Sequence, residues 1–130
     1  MKTELHKLIR MTMLGLALCS NSLPVWAGTV SLPQVSVTPY SASGSMVGAR
    51  YSADNQQYIG CQFWNISGPY VTCGARDSTG KTFFCYSTEP RHAAAVKAIT
   101  DSSRISVGST TSSPAICNQL TVDNYSDYLK

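Results

Sequence analysis

The sequence predicts a mainly β domain of the α+β class, with its elements in the order β-β-β-α-β-β. Three stretches of the chain lead to this expectation. Residues 58–87 contain three aromatic, β-prone runs separated by short turns. Residues 89–99 are alanine-rich with helical spacing, and residues 104–122 return to alternating apolar positions. This order matches the OB-fold, a five-stranded Greek-key barrel with a helix between its third and fourth strands, so we predict an OB-like barrel.

The first 27 residues have the pattern of a secretory signal peptide. Three basic residues open the segment, and residues 11–19 form a short apolar run. Val25 and Ala27 then place acceptably small side chains at the two positions that signal peptidase reads. We therefore predict a signal peptide over residues 1–27, cleavage before Gly28, and a secreted or periplasmic protein.

The N-terminal segment has two other interpretations. A retained membrane anchor needs about 20 consecutive apolar residues, which is more than the run provides, so we expect no stable membrane insertion. A lipoprotein anchored through Cys19 is the second alternative. Leu16 and Ala17 fit its recognition sequence, whereas Leu18 stands where a small residue is expected. The sequence leaves the lipidation of Cys19 open.

The predicted mature chain, residues 28–130, has the size of one domain and little net charge. It contains 103 residues, with seven basic and six acidic side chains that form no basic stripe. A nucleic-acid-binding surface needs concentrated positive charge, and so does binding to an anionic membrane surface. We therefore predict no nucleic-acid partner.

Residues 28–48 predict an N-terminal arm or edge strand. Pro33 and Pro39 interrupt its apolar positions, and proline is tolerated on edge strands rather than on central ones. We expect the arm to end in a flexible segment of small residues, Ser41–Ser45. The disulfide-stapled domain is predicted to follow over residues 49–130.

Within that domain the turns and the helix have recognisable signals. Gly80 is placed to take a left-handed conformation in the turn before the third strand. Thr88 can serve as the helix N-cap, and Pro90 is allowed in the first helical turn. The predicted strands span residues 58–64, 70–75, 81–87, 104–107 and 116–122.

The predicted mature chain retains four cysteines, Cys61, Cys73, Cys85 and Cys117. An even number of cysteines in a small exported domain predicts two disulfides. A metal site is the alternative. We exclude it because no two cysteines have the short spacing of a zinc knuckle, and the mature chain has a single histidine. We predict neither a metal nor another cofactor.

The cysteine spacing disfavours one of the three pairings, and the predicted barrel topology favours one of the other two. Cys61, Cys73 and Cys85 are twelve residues apart, which places them side by side on three neighbouring strands. The outer two of these strands lie about 9.6 Å apart, beyond the reach of a disulfide, whose Cα atoms lie within roughly 7 Å. Two pairings remain: Cys61–Cys73 with Cys85–Cys117, or Cys73–Cys85 with Cys61–Cys117. We prefer the first because the third and fifth strands of an OB barrel are neighbours.

The chain offers little that points to catalysis. A hydrolase needs a nucleophile beside a base, and His92 is the only histidine of the mature chain. It stands at the start of the predicted helix, where a polar first-turn residue is the simpler interpretation. The sequence contains no G-x-S-x-G, H-E-x-x-H or P-loop pattern. We therefore predict that the protein is not an enzyme.

Aromatic residues carry the strongest functional pattern. Successive side chains of a strand point to opposite faces, so Phe63 and Phe83 are expected to point inward with the cysteines of their strands. The candidates for an outward-facing ligand surface are Trp64, Phe84, Tyr86 and Arg76. Exposed rings suit stacking against a sugar or a peptide, or a contact between subunits. The alternative is that a small barrel uses aromatic residues on both faces.

The chain from residue 58 to residue 130 also resembles a set of small exported bacterial proteins of uncharacterised activity. The resemblance rests on Tyr58-Ile59-Gly60-Cys61, Cys73-Gly74-Ala75-Arg76-Asp77, Gly80, Cys85, His92, Asp101-Ser102, Ile105, Cys117 and residues 122–128. It implies no activity. In layout the chain is similar to the binding subunits of pentameric AB-type toxins, which are exported, disulfide-bonded OB-folds that form rings and bind glycans. No sugar-binding motif aligns, so no site residue is carried over.

These observations lead to three hypotheses about function. The first is a secreted binding module at or outside the cell surface, with a protein or a glycan as its ligand and with self-association as a further expectation. The second is a structural component of an envelope, appendage or matrix. The third is a small hydrolase or an enzyme inhibitor.

Overall fold

A computed structural model describes residues 32–111 and 115–125. The predicted signal peptide, its cleavage site and Cys19 lie outside these residues, as does the end of the C-terminal tail. The elements, in chain order, are β1 (Ser36–Val37), β2 (Ser41–Ser45), α1 (Met46–Arg50), β3 (Tyr58–Asn65), β4 (Pro69–Arg76), β5 (Thr82–Ser87), α2 (Pro90–Lys97), β6 (Arg104–Ser109) and β7 (Cys117–Asp123).

The strands form two antiparallel sheets. The first sheet has the order β1-β2-β6-β7, and the second is the predicted meander β3-β4-β5. The predicted mainly β class with one principal helix is confirmed. A parallel bridge between Tyr86 and Ile116 connects the sheets, and the Tyr86 N–H donates to the Ala115 carbonyl at 3.1 Å. Within the described residues the sheets do not close into a barrel, because β6 pairs with β2 rather than with β3.

Strand β2 corrects the expectation of a flexible Ser41–Ser45 segment. These residues pair with all but the last residue of β6, from Ser41 opposite Gly108 to Ser45 opposite Arg104. Small side chains suit the position, since a Cβ added at Gly44 would lie 2.9 Å from the Val35 Cα. The prolines fall outside the two-residue edge strand β1, as the hydrogen-bonding limits of proline require.

The two helices begin differently from the sequence-based expectation. Helix α1 was not predicted, and its first turn is capped by Ser45, whose Oγ accepts the Gly48 N–H at 3.0 Å. Helix α2 has Pro90 in its first turn as predicted, but its N-cap is Glu89 rather than Thr88. No Glu89 side-chain bond caps the helix. Instead, the Ser87 Oγ accepts the Glu89 N–H at 3.1 Å.

The core lies between the two sheets and under α2. Val71 of β4 and Ile105 and Val107 of β6 are almost completely buried, and α2 adds Ala93 and Val96. The turn between β4 and β5 is held by the Asp77 carboxylate, which accepts hydrogen bonds from Thr79 and Lys81. Gly80 in this turn has a φ of +84°, the left-handed conformation that the sequence predicts.

Two disulfides join the strands. Cys61–Cys73 links directly opposite residues of β3 and β4, with Cα atoms 4.1 Å apart. Cys85–Cys117 links β5 to β7, and therefore one sheet to the other, with Cα atoms 5.2 Å apart. This is the pairing that the cysteine spacing and the predicted barrel topology together favour. Two disulfides fit a protein of an oxidising compartment, such as the periplasm or the cell exterior. In the described part of the chain, no helix has the length and apolarity needed to cross a membrane.

Candidate ligand-binding face

The meander β3-β4-β5 has one buried face and one outer face, and strand alternation assigns every residue to one of them. Cys61, Cys73 and Cys85 stand in one row across the three strands. Cys73 and Cys85 are buried, so this row marks the inner face. The residues in phase with them, including Val71 and Phe83, point inward, and their chain neighbours point outward.

The outer face carries an unusual density of aromatic side chains. We define the aromatic face as the outward residues Tyr58, Trp64, Tyr70, Phe84 and Tyr86. Trp64 is 46% exposed and Phe84 is 60% exposed. The Tyr70 and Tyr86 rings are stacked with centroids 5.9 Å apart, which fixes their orientation. Contiguous exposed apolar surface of this kind marks interaction sites.

Two glycines leave a gap in the aromatic face. Gly60 and Gly74 are directly opposite each other on β3 and β4. Within the described residues, a Cβ added at Gly60 would meet no atom within 4 Å, whereas one at Gly74 would lie 3.6 Å from the Tyr58 ring and 3.8 Å from the Phe84 ring. We call the resulting cavity of about 360 Å³ the glycine trough; its lining includes Tyr58, Phe84, Gln62 and Thr72.

Neutral polar groups line the glycine trough. The structure shows no hydrogen bond of the Gln62 amide or the Thr72 hydroxyl to another described residue, so both are available to a ligand. Among the outward positions of the three strands Arg76 is the only charged residue. Its guanidinium lies beside the β4–β5 turn, because a Cβ added at Gly80 would be 3.4 Å from Arg76 Nη2.

The hairpin between β3 and β4 extends the aromatic face. A second cavity, of about 320 Å³, is lined by Trp64, Tyr70 and the turn residues Ile66, Ser67 and Gly68. Ile66 is the most exposed large apolar residue described, at 86%. Ile116 extends the aromatic face beyond Tyr86, because the parallel bridge between the two residues places their side chains on the same face.

Three of the four residues proposed from the sequence as a ligand surface lie within the aromatic face: Trp64, Phe84 and Tyr86. Arg76 lies on the same side of the sheet at one end. Sequence reasoning did not include Tyr58 or Tyr70, although Tyr58 is in phase with Trp64 along β3. The juxtaposition of Gly60 and Gly74 depends on the register between strands, which the cysteine row alone could have indicated.

His92 is not part of the aromatic face. It forms a buried pair with Ser87. His92 is only 4% exposed, and its Nδ1 is 2.7 Å from the Ser87 Oγ. Burial and the nearby Arg91 charge lower the pKa of His92 below its ordinary value, against the opposing effect of Glu89. The Ser87 hydroxyl thus shares a hydrogen bond with the His92 ring and also accepts the Glu89 N–H.

This Ser–His pair lacks the other features of a nucleophilic site. The Ser87 side chain is almost completely buried, so a substrate carbonyl has no access to its oxygen. The nearest acidic residue in sequence, Glu89, is exposed, and its Oε2 lies 3.7 Å from Arg91 Nε. It therefore pairs with Arg91 rather than orienting the imidazole. The pair instead anchors the start of α2 to the end of β5.

Among residues 32–111 and 115–125, no cluster of three or more His, Cys, Asp or Glu side chains is arranged to hold a metal ion. The chain matches no protein-family model, no curated protein and no solved structure.

Proposed function

We propose that this protein is an exported, non-enzymatic binding module that works in the periplasm or outside the cell and engages its ligand with the aromatic face. The observation that carries the proposal is the set of exposed aromatic rings on the outer side of the meander. Keeping such rings in water forgoes the free energy of burying them. A ligand or partner that covers them recovers that energy.

The covalent structure supports an extracytoplasmic location. Disulfides persist in the periplasm and outside the cell and are rare in the cytoplasm. The signal-peptide pattern over residues 1–27 is an independent reason to expect export. The module would then meet its ligand in solution or at a surface rather than inside the cell.

The OB-like arrangement is part of the proposal. The meander β3-β4-β5 is followed by α2 and the hairpin β6-β7. A parallel bridge between Tyr86 and Ile116 brings the start of β7 beside β5. The OB-fold uses the outer surface of its second and third strands to bind oligonucleotides and oligosaccharides. In this chain the corresponding strands are β4 and β5, which contribute Tyr70, Phe84 and Tyr86 to the aromatic face.

Binding assays with the purified exported protein test this function. The labelled protein is applied to a glycan array and to intact cells, beside a Trp64→Ala/Phe84→Ala double variant. Tyr40→Ala is the matched control, since Tyr40 is an exposed aromatic residue in the β1–β2 turn and is not part of the aromatic face. We expect the double variant to lose binding and the control to keep it.

Size-exclusion chromatography in the same experiment separates binding from a structural role. A structural component of an envelope or appendage would form large assemblies that bind no ligand. If the protein behaves in that way, or if the double variant binds as well as the wild type, the proposal is wrong.

A further inference from the structure

The glycine trough is a concave part of the aromatic face, with aromatic rings on two sides and bare backbone at its floor. Its floor is open at Gly60, and its walls at Gly74 are the Tyr58 and Phe84 rings. A cavity of about 360 Å³ is within the range of small-molecule sites, roughly 300–1,000 Å³. The trough therefore fits a small ring better than an extended polymer segment.

The groups around the trough define the chemistry of that ring. Tyr58 and Phe84 contribute aromatic rings to the lining, so a ligand with an apolar face of its own can stack against them. Gln62 and Thr72 supply an amide and a hydroxyl, which pair with groups that both donate and accept hydrogen bonds. A hydroxylated ring with C–H groups on one face meets both requirements.

The lack of charged side chains in the trough lining narrows the class of ligand further. The lining of the trough contains no charged side chain. The Arg76 guanidinium lies at the end of the sheet, beside Gly80, and not over the trough floor. A carboxylate or an ammonium group bound in the trough would lose water without gaining an ion pair, which is costly. The site accordingly favours a neutral ligand.

We propose that the glycine trough binds a neutral pyranose ring of a saccharide, with the C–H face of the sugar against Phe84 and Tyr58 and its hydroxyls directed to Gln62 and Thr72. This inference rests on the proposed function, because it assigns the ligand class of the same face. Gly60 is the specificity-determining position, since the space above its backbone is what admits the ring.

Gly60→Val is the sharpest test, because it fills the trough while leaving the strand intact. A Cβ at this position meets no described atom within 4 Å, and valine favours a β-strand. Phe84→Ala removes one wall, and Tyr40→Ala removes an exposed ring elsewhere. Thermal unfolding of each variant monitors the fold.

Binding is measured by calorimetry and by saturation-transfer NMR with methyl β-glucoside, methyl β-galactoside and N-acetylglucosamine oligomers. N-acetylneuraminic acid and glucosamine serve as charged comparisons. We expect at least one neutral sugar to bind, with saturation concentrated on the protons of one ring face. Gly60→Val and Phe84→Ala should each weaken binding by about tenfold or more, which is ~1.4 kcal/mol, while Tyr40→Ala binds normally.

Binding by none of the neutral sugars overturns the inference, as does a folded Gly60→Val variant with wild-type affinity, or preference for a charged sugar. These results overturn only the saccharide assignment, and the broader proposal that the aromatic face binds a ligand is judged separately. If the Trp64→Ala/Phe84→Ala variant still loses binding to intact cells while no saccharide binds, the aromatic face serves another ligand class and only the assignment of a pyranose fails.

Discussion

At the residue scale, His92 ties the stability of the fold to pH. It is the only histidine among the described residues, and burial is the main reason that its pKa falls below the ordinary value of 6.5. The folded state therefore holds the neutral ring, whereas the unfolded chain takes up a proton near pH 6.5. Below that pH the unfolded state binds more protons than the folded state, so acidification favours unfolding.

We expect the free energy of unfolding to be fully maintained above about pH 7.5 and to decrease as the pH falls through 6.5 toward the lowered pKa of His92. Urea unfolding at pH 7.5, 6.5 and 5.5 measures this change. The pKa values of Asp54 and Asp77 are lowered from 3.8, so these carboxylates contribute stability that is lost only at more acidic pH. Their effect falls outside the measured range.

His92→Gln is the matched variant, because it keeps a polar side chain but cannot titrate. Its unfolding midpoint should vary less between pH 7.5 and pH 5.5 than that of the wild type. A wild-type midpoint that stays constant or rises as the pH falls would contradict the buried, neutral state of His92.

At the scale of elements, strand β2 depends on the absence of a side chain at Gly44. A Cβ at this position would lie 2.9 Å from the Val35 Cα and 3.0 Å from the Val35 Cγ2. Because the closest atom belongs to the backbone, a larger residue has to displace the segment beside it. β2 lies between β1 and β6, so the displacement affects an inner strand of the first sheet.

We predict that Gly44→Val destabilises the protein by about 1–3 kcal/mol, the usual cost of overpacking. Gly60→Val is the matched control, since the same substitution on β3 has open space, and replacing a strand glycine is favourable by roughly 0.5–1 kcal/mol. Urea unfolding at pH 7.5 compares the two. Equal effects of both substitutions would show that the contact with Val35 does not limit the size of residue 44.

The difference between β2 and the other strands shows what local sequence can predict. The strands of the meander have aromatic and β-branched residues, and β6 has Ile105 and Val107 in alternation, so their order follows from pattern. Ser41–Ser45 has no such alternation. Its strand structure comes from pairing with β6, some 60 residues away in sequence, and the small residues fit that location because of contacts that only the folded chain makes.

The candidate site likewise combines features that local sequence predicts with features that it does not. Alternation along β3 and β5 was enough to place Trp64, Phe84 and Tyr86 on an outer face. The glycine trough could not be derived from alternation alone, because it needs Gly60 to stand opposite Gly74. That relation depends on the register between two strands, and the rings that flank it come from β3 and β5.

At the scale of the whole molecule, the two disulfides have different roles. Cys61–Cys73 joins opposite residues of a hairpin that a full ladder of backbone pairing already holds. Cys85–Cys117 joins the two sheets at a place where the described backbone pairing between them is a single parallel bridge. Cys85 and Cys117 are also almost completely buried, so this bridge is part of the core.

We therefore predict that removing Cys85–Cys117 destabilises the protein more than removing Cys61–Cys73. The closed segments span 32 and 12 residues, and restriction of the unfolded chain corresponds to about 4 and about 3 kcal/mol, respectively. Loss of contact between the sheets adds to the first value. Urea unfolding of Cys85→Ala/Cys117→Ala and Cys61→Ala/Cys73→Ala gives the comparison, after peptide mapping without reductant has identified both linked fragments in the wild type. A larger loss for the hairpin pair would mean that the sheets are held together by packing under α2, and that the bridge between β5 and β7 contributes little.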